Sequence, residues 1–172
     1  DGWLCKNGER VIAASELPVP GPHNIANALA ASAAARALNV ANDTIAEALR
    51  GFGASPEDNP GRCQLVNING RRVLLDFGHN PHGLQAILGL AQSLLQQEPG
   101  SRLCVSLGQA GDRLDGEIIE LAHTLANVEP AKVIIREMAG YERGRADLEV
   151  PHLIRDSLVA RGIAVDQIDI VR

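Results

Sequence analysis

The chain is 172 residues long, 45 % hydrophobic and 22 % charged, with a formal net charge of −5. That is enough for about one domain, or one and part of another, with a core that needs no staples. Lys and Arg number 16 against 21 Asp and Glu, with no basic run, which argues against broad nucleic-acid or anionic-membrane binding. No stretch approaches the ~20 apolar residues of a bilayer span, and no basic-then-apolar leader is read at the start. Cys5, Cys63 and Cys104 are odd in number and lack a Cys-x-x-Cys pair. They read as thiols of a reducing cytoplasm, not as a disulfide or zinc framework.

In chain order, the first feature is Asn7-Gly8 between short apolar runs, a hairpin signal because both turn positions need positive φ. The chain has no initiator Met and opens inside this hairpin, so it is expected to be part of a longer polypeptide. Pro18, Pro20 and Pro22 lead into an alanine-rich helix predicted over residues 24–38, with Asn24 as its N-cap. A second helix is predicted over 43–49, capped by Asn42 or Asp43. Residues 51–61 are turn-former after turn-former and read as a linker. A second hairpin follows, strands 63–68 and 72–77 around Asn69-Gly70. Helices over 82–97, 115–126 and 150–161 then alternate with strands over 102–107, 132–137 and 166–171. Such alternation predicts an α/β, Rossmann-like domain: a mostly parallel sheet, helices on both faces and an N-terminal hairpin.

In open α/β sheets ligands bind beyond the C-terminal strand ends. Three polar clusters fall there: residues 76–81 (Asp-Phe-Gly-His-Asn-Pro), 108–113 (Gly-Gln-Ala-Gly-Asp-Arg) and 137–145, which ends in Arg143-Gly144-Arg145. A carboxylate can take two hydrogen bonds from a ribose diol, and arginine forks match phosphate or carboxylate oxygens. Asn80-Pro81 opening a helix suits an anion, since first-turn N–H groups are unpaired. Each residue also has an ordinary reading. Asp76 serves equally well to cap a turn, and Arg143 and Arg145 as solvated charges. Gly108 and Gly111 lack the full phosphate-loop pattern. His79 and His82 are spaced three apart, but no acid or Cys joins them at metal-binding spacing, and no metal site is expected.

Taken together the clusters resemble a known family. Residues 21–31 (Gly-Pro-His-Asn-Ile-Ala-Asn-Ala-Leu-Ala-Ala) resemble the His-Asn-x-x-Asn-x-x-Ala-Ala segment that closes the central ATPase domain of Mur ligases. Pro60-Gly61-Arg62 and then Asp76 to Pro81 resemble the start of their C-terminal domain, where Asp-Tyr-Ala-His-Asn-Pro is usual. Gly111-Asp112-Arg113 fits the next loop. Arg136-Glu137 with Arg143-Gly144-Arg145 is most similar to the Mur-like half of cyanophycin synthetase. The resemblance implies that residues 1–55 end the central ATP-binding domain and residues 56–172 form a Mur ligase C-terminal domain. Phe77 and Gly78 depart from Tyr-Ala, and Gly78 leaves the loop freer.

The resemblance also implies a reaction. Such ligases phosphorylate a carboxylate with ATP, and an amine then attacks the acyl phosphate to give an amide. The C-terminal domain closes over the site, which orients the amine and excludes water. Carried over by motif, His23, Asn24 and Asn27 contact adenine, and Asp76 binds the ribose. Arg62 approaches the phosphates and offsets developing charge. His79 and Asn80 sit near the phosphate chain, with His79 as a local donor. Arg113 grips the carboxylate of the incoming amino acid, and Arg143 and Arg145 are candidates for the same task or for an acidic polymer end. The 172 residues hold no Gly-x-x-x-x-Gly-Lys-Thr/Ser loop. In the family the Mg²⁺ ligands and a modified lysine precede this segment as well. The chain alone is therefore expected not to hydrolyse ATP.

Two alternatives remain at this stage. Folylpolyglutamate synthetase shares the superfamily and has an Asp-Gly-Ala-His-Asn-Pro loop, but His23-Asn24, Gly111-Asp112-Arg113 and Arg143-Gly144-Arg145 favour the Mur and cyanophycin side. The other is a nucleotide-binding module without catalysis. The expected partners are ATP and an amino acid or peptide, with a homo-oligomer left open.

Overall fold

The structure is a computed structural model that describes residues 2–6, 8–55 and 57–172. Two compact units divide it, Asp1–Phe77 and Gly78–Arg172.

The first unit opens with an antiparallel pair, β1 (Trp3–Lys6) and β2 (Glu9–Ala13), joined across Lys6 and Glu9. Gly8 has φ +83°, as the turn requires, while Asn7, like Pro56 of the expected linker, lies outside the described residues. Helix α1 (Pro22–Ala37) follows, then α2 (Asn42–Gly51). Leu4, Ile12, Ala28 and Ala46 form a small buried cluster, with Ile25 and Leu49 packed against it. Only Ala28 and Ser32 of α1 are buried, so a single narrow stripe of the alanine-rich surface is used. Neither expected cap holds. Gly21 caps α1 at φ +100°, with Pro22 in the first turn and Asn24 already inside the helix. Ala41 caps α2 and has no side-chain acceptor to offer, while Asn42 is already inside the helix with its side chain taken by Arg36.

Strands β3 (Gln64–Ile68) and β4 (Arg71–Leu75) pair antiparallel, Ile68 opposite Arg71. The turn residues Asn69 and Gly70 are both left-handed, φ +52° and +77°, the conformation that matches the strand twist. By packing, this hairpin belongs to the first unit.

The second unit contains α3 (Pro81–Gln96), β5 (Cys104–Gly108), α4 (Asp115–Ala126), β6 (Lys132–Arg136), α5 (Glu149–Ala160) and β7 (Ile168–Val171). The three strands form a parallel sheet in the order β5-β6-β7. This is the expected α/β class, with helices along one face of the described sheet instead of both. The reason is topological. Two successive right-handed crossovers that advance in the same direction put both connecting helices on the same side. Accordingly Leu88 of α3, Ile118 and Leu125 of α4 and Ile154 and Leu158 of α5 share one apolar cluster with Val133, Ile135 and Ile168. The alternate strand residues Cys104, Ser106, Gly108 and Arg136 are exposed. A sheet lined on one face shows this period of two.

Candidate functional site

In the first unit the His-Asn segment and Asp76 meet through a residue that carried no role in the sequence reading, Cys63. Its thiol sulfur lies 3.1 Å from His23 Nε2. Its backbone N–H donates to Asp76 Oδ2 at 2.9 Å, and its thiol also faces that oxygen at 3.6 Å. Cys63 is 4 % exposed and has φ +47°, a left-handed conformation uncommon outside glycine. Burial pushes its thiol pKa up; a hydrogen bond from the Asn24 side chain opposes this and the Asp76 carboxylate adds to it. The Asn24 side-chain amide donates to the Pro20 carbonyl at 2.7 Å, and Asn27 Nδ2 donates to Asn24 Oδ1 at 3.4 Å. Asn24 and Asn27 are thus linked to each other at the start of α1, with Asn27 the more exposed, while His23 turns to Cys63. Gly21 makes room for the His23 ring: a Cβ there would lie 2.8 Å from it.

Arg62 is exposed, and its guanidinium carbon stands 5.1 Å from the centroid of the Phe77 ring. Phe77 is a point where the sequence departs from the usual family loop. Its ring is 63 % exposed and gives the neighbouring cation a face to rest on, an attraction of about 0.5–1 kcal/mol at such sites.

In the second unit the segment that leads into α3 and the loops after β5 and β6 supply the polar residues. His79, Asn80, Gln109 and Arg113 line one small cavity of ≈ 20 Å³, with Glu117 and Leu121 beneath. Such a volume holds about one water, too little to enclose a substrate. Asn80 caps α3: its Oδ1 accepts from the Gly83 N–H at 2.8 Å, with Pro81 in the first turn. That oxygen occupies one of the first-turn donors that sequence reasoning offered to an anion. Gln109 is 8 % exposed, one of few buried polar residues. Sequence reasoning gave it no role, since nothing in its spacing separates it from other loop residues.

Arg145 is held from all sides. Nε donates to the Gly111 carbonyl at 2.9 Å and Nη2 to the Arg113 carbonyl at 2.6 Å. Nη1 pairs with Asp115 Oδ1 at 2.7 Å and Glu149 Oε1 at 2.9 Å. The Gly111 N–H donates to the Tyr141 carbonyl at 2.9 Å. A Cβ on Gly111 would run into the Glu142 carbonyl, so only glycine permits this approach. The two loops are thus clasped together. Arg143 does otherwise: it is exposed at φ +52°, with its guanidinium 5.1 Å from the Tyr141 ring centroid. A larger cavity of ≈ 450 Å³ lies where β6 and β7 begin, beside Asn127, Pro130, Arg161 and Gln167. It is at the opposite strand ends from these clusters and gathers none of the expected residues.

Comparison with known proteins adds the context for this geometry. Residues 61–165 match the family described as Mur ligase, glutamate ligase domain. The chain is 35 % identical over 145 residues to cyanophycin synthetase of Crocosphaera subtropica, covering 84 % of this chain and 16 % of that protein. It is 33 % identical over 152 residues to the Synechocystis sp. cyanophycin synthetase, covering 88 % and 17 %. A shorter match, 48 % over 77 residues, is to UDP-N-acetylmuramoylalanine--D-glutamate ligase of Lacticaseibacillus casei, covering 44 % of this chain and 16 % of that protein. The chain therefore spans about a sixth of the length of these relatives. Among solved structures, folylpolyglutamate synthase of Thermotoga maritima superposes with a TM-score of 0.59 at 23 % identity, covering 91 % of this chain and 33 % of that one. At that identity the likeness concerns the fold.

Proposed function

The chain belongs to the family of the Mur ligase, glutamate ligase domain, and on that premise we propose that it is the nucleotide-base, ribose and acceptor-binding part of an ATP-dependent, cyanophycin-synthetase-like amide ligase. In this reading residues 1–55 close the central ATP-binding domain and residues 56–172 form the C-terminal domain. The observation that carries it is the joining of His23 and Asp76, 53 positions apart in sequence, around Cys63. Two motifs that the family devotes to one nucleotide are thereby fixed to each other within one unit.

The reaction follows from the proposed roles. ATP phosphorylates a substrate carboxylate, releasing ADP. The lone pair of the incoming amine attacks the acyl carbon, the C–N bond forms, phosphate leaves with the C–O electron pair, and the amine loses a proton. Asn24 and Asn27 offer amide donors and acceptors to the base, and Asp76 accepts from the ribose hydroxyls. Arg62 offsets charge on the transferring phosphoryl group, and His79 donates to a phosphate oxygen near Asn80. Arg113 takes the carboxylate of the acceptor amino acid as a fork. Arg143, outside the clasp, is the better placed of the two later arginines for an acidic polymer end. Arg145 has its guanidinium committed to four protein acceptors, and acts by holding Arg113. The family implies Mg²⁺ as well. Among the described residues no three His, Cys, Asp or Glu side chains converge to hold a metal ion.

The chain by itself does not turn over ATP in this proposal, because its 172 residues contain no phosphate loop. The test is ADP release by the full-length protein. Release that requires both an acidic-polymer primer and a free amino acid supports the proposal. Release driven by folate and glutamate would move the protein to the folylpolyglutamate side. No release with either set would favour a module that binds nucleotide without catalysis.

A further inference from the structure

Cys63 is buried, left-handed and bonded on two sides, yet no step above uses it. A nucleophilic role does not suit it. The residue is only 4 % exposed, its neighbouring carboxylate takes the Cys63 N–H, and burial favours the protonated thiol. A positioning role does. The thiol donates toward Asp76 Oδ2 at 3.6 Å while its sulfur faces His23 Nε2 at 3.1 Å. One side chain thereby continues a polar chain from the imidazole to the carboxylate. The backbone N–H, aimed at the same Oδ2 at 2.9 Å, depends on the φ of +47°. On its far side the His23 ring packs against Gly21, where no Cβ stands in its way. The imidazole is thus gripped between a glycine that makes space and a sulfur that fixes its edge.

We propose that Cys63 is a positioning residue for nucleotide binding, setting His23 of the base-side segment and the ribose-side carboxylate of Asp76 in one fixed relation. The inference rests on the nucleotide reading of those two motifs and deepens it. Its consequence is specific: loss of the thiol loosens ATP binding and leaves the acceptor side alone.

The experiment is steady-state kinetics on the full-length protein, with ATP and acceptor varied separately, for Cys63→Ala, Cys63→Ser and Asp76→Ala. Cys63→Ala is expected to raise the KM for ATP by about three- to tenfold, the size of one lost hydrogen bond. The KM for the acceptor and kcat should stay within about twofold. Cys63→Ser, which restores a donor and an acceptor, should recover most of the ATP affinity. If Cys63→Ala leaves the KM for ATP unchanged while Asp76→Ala raises it, Cys63 has no positioning role and the nucleotide reading survives. If both KM values and kcat deteriorate together for Cys63→Ala and serine does not rescue, the residue is merely structural and the inference fails. If Asp76→Ala itself leaves the ATP dependence untouched, the nucleotide reading falls and this inference with it.

Discussion

The Arg145 guanidinium donates to the main-chain carbonyl of Arg113 at 2.6 Å, so one arginine of the site holds the backbone of another. The remaining nitrogens reach Gly111, Asp115 and Glu149. Acceptors so arranged leave the planar fork little freedom, and lysine, a point charge on a flexible stem, cannot reproduce it. Arg113→Ala in the full-length protein is expected to raise the KM for the acceptor amino acid by tenfold or more, with the KM for ATP nearly unchanged. Arg145→Lys should change the same constant in the same direction by a smaller factor. Equal losses for ATP and acceptor in both variants would contradict the division of labour.

Gly111 and Gly89 make a paired test of the packing in the second unit. A Cβ at Gly111 collides with the Glu142 carbonyl, whereas Gly89, on the exposed side of α3, has nothing within 4 Å of the same position. Gly111→Ala is expected to destabilise by about 1–3 kcal/mol, the usual cost of forcing atoms into a packed site. Gly89→Ala should instead stabilise by about 0.5–1 kcal/mol through helix propensity. Denaturant melts of the two variants read both signs.

Acid should open the clasp. The Ala146 N–H and then the Arg145 guanidinium hold the Glu149 carboxyl below its ordinary value. A lowered folded value means the unfolded chain binds the proton first as pH falls. The stabilisation from Glu149 is therefore complete above the ordinary carboxylate range and is lost as pH drops through the folded value. Hydrogen exchange of the Gly111 amide, bonded to the Tyr141 carbonyl, should lose protection below about pH 4, relative to its intrinsic rate, and Glu149→Gln should flatten that dependence. Unchanged protection down to pH 3 would refute the coupling.

Parts of this molecule are readable before any coordinates. Asn69-Gly70 names its own turn, because few other pairs accept two positive φ values. Helix α4 begins at Asp115 and ends at Ala126 as its apolar period indicates. The cap of α1 was not readable. His23-Asn24 has the look of a helix start, but the chain turns at Gly21 and spends the His23 and Asn24 side chains on other partners. The partners of Arg145 are not readable from sequence for a related reason. Its backbone acceptors, the carbonyls of Gly111 and Arg113, lie more than thirty residues away, and no local spacing announces them. Cys63 was legible only as a free thiol, since its meaning arises when β3 and α1 are brought together. Motif position thus identified the regions that carry polar chemistry, and tertiary contacts decided which side chains face outward and which are struts.

The nucleotide claim is tested most directly by the KM for ATP of Asp76→Ala in the full-length protein, compared with the KM for the acceptor in the same preparation. A carboxylate that accepts from the ribose loses charge-assisted bonds worth about 1.5–3 kcal/mol on truncation, so the account predicts an increase of tenfold or more for ATP and little for the acceptor. An ATP dependence identical to that of the unaltered protein would contradict it.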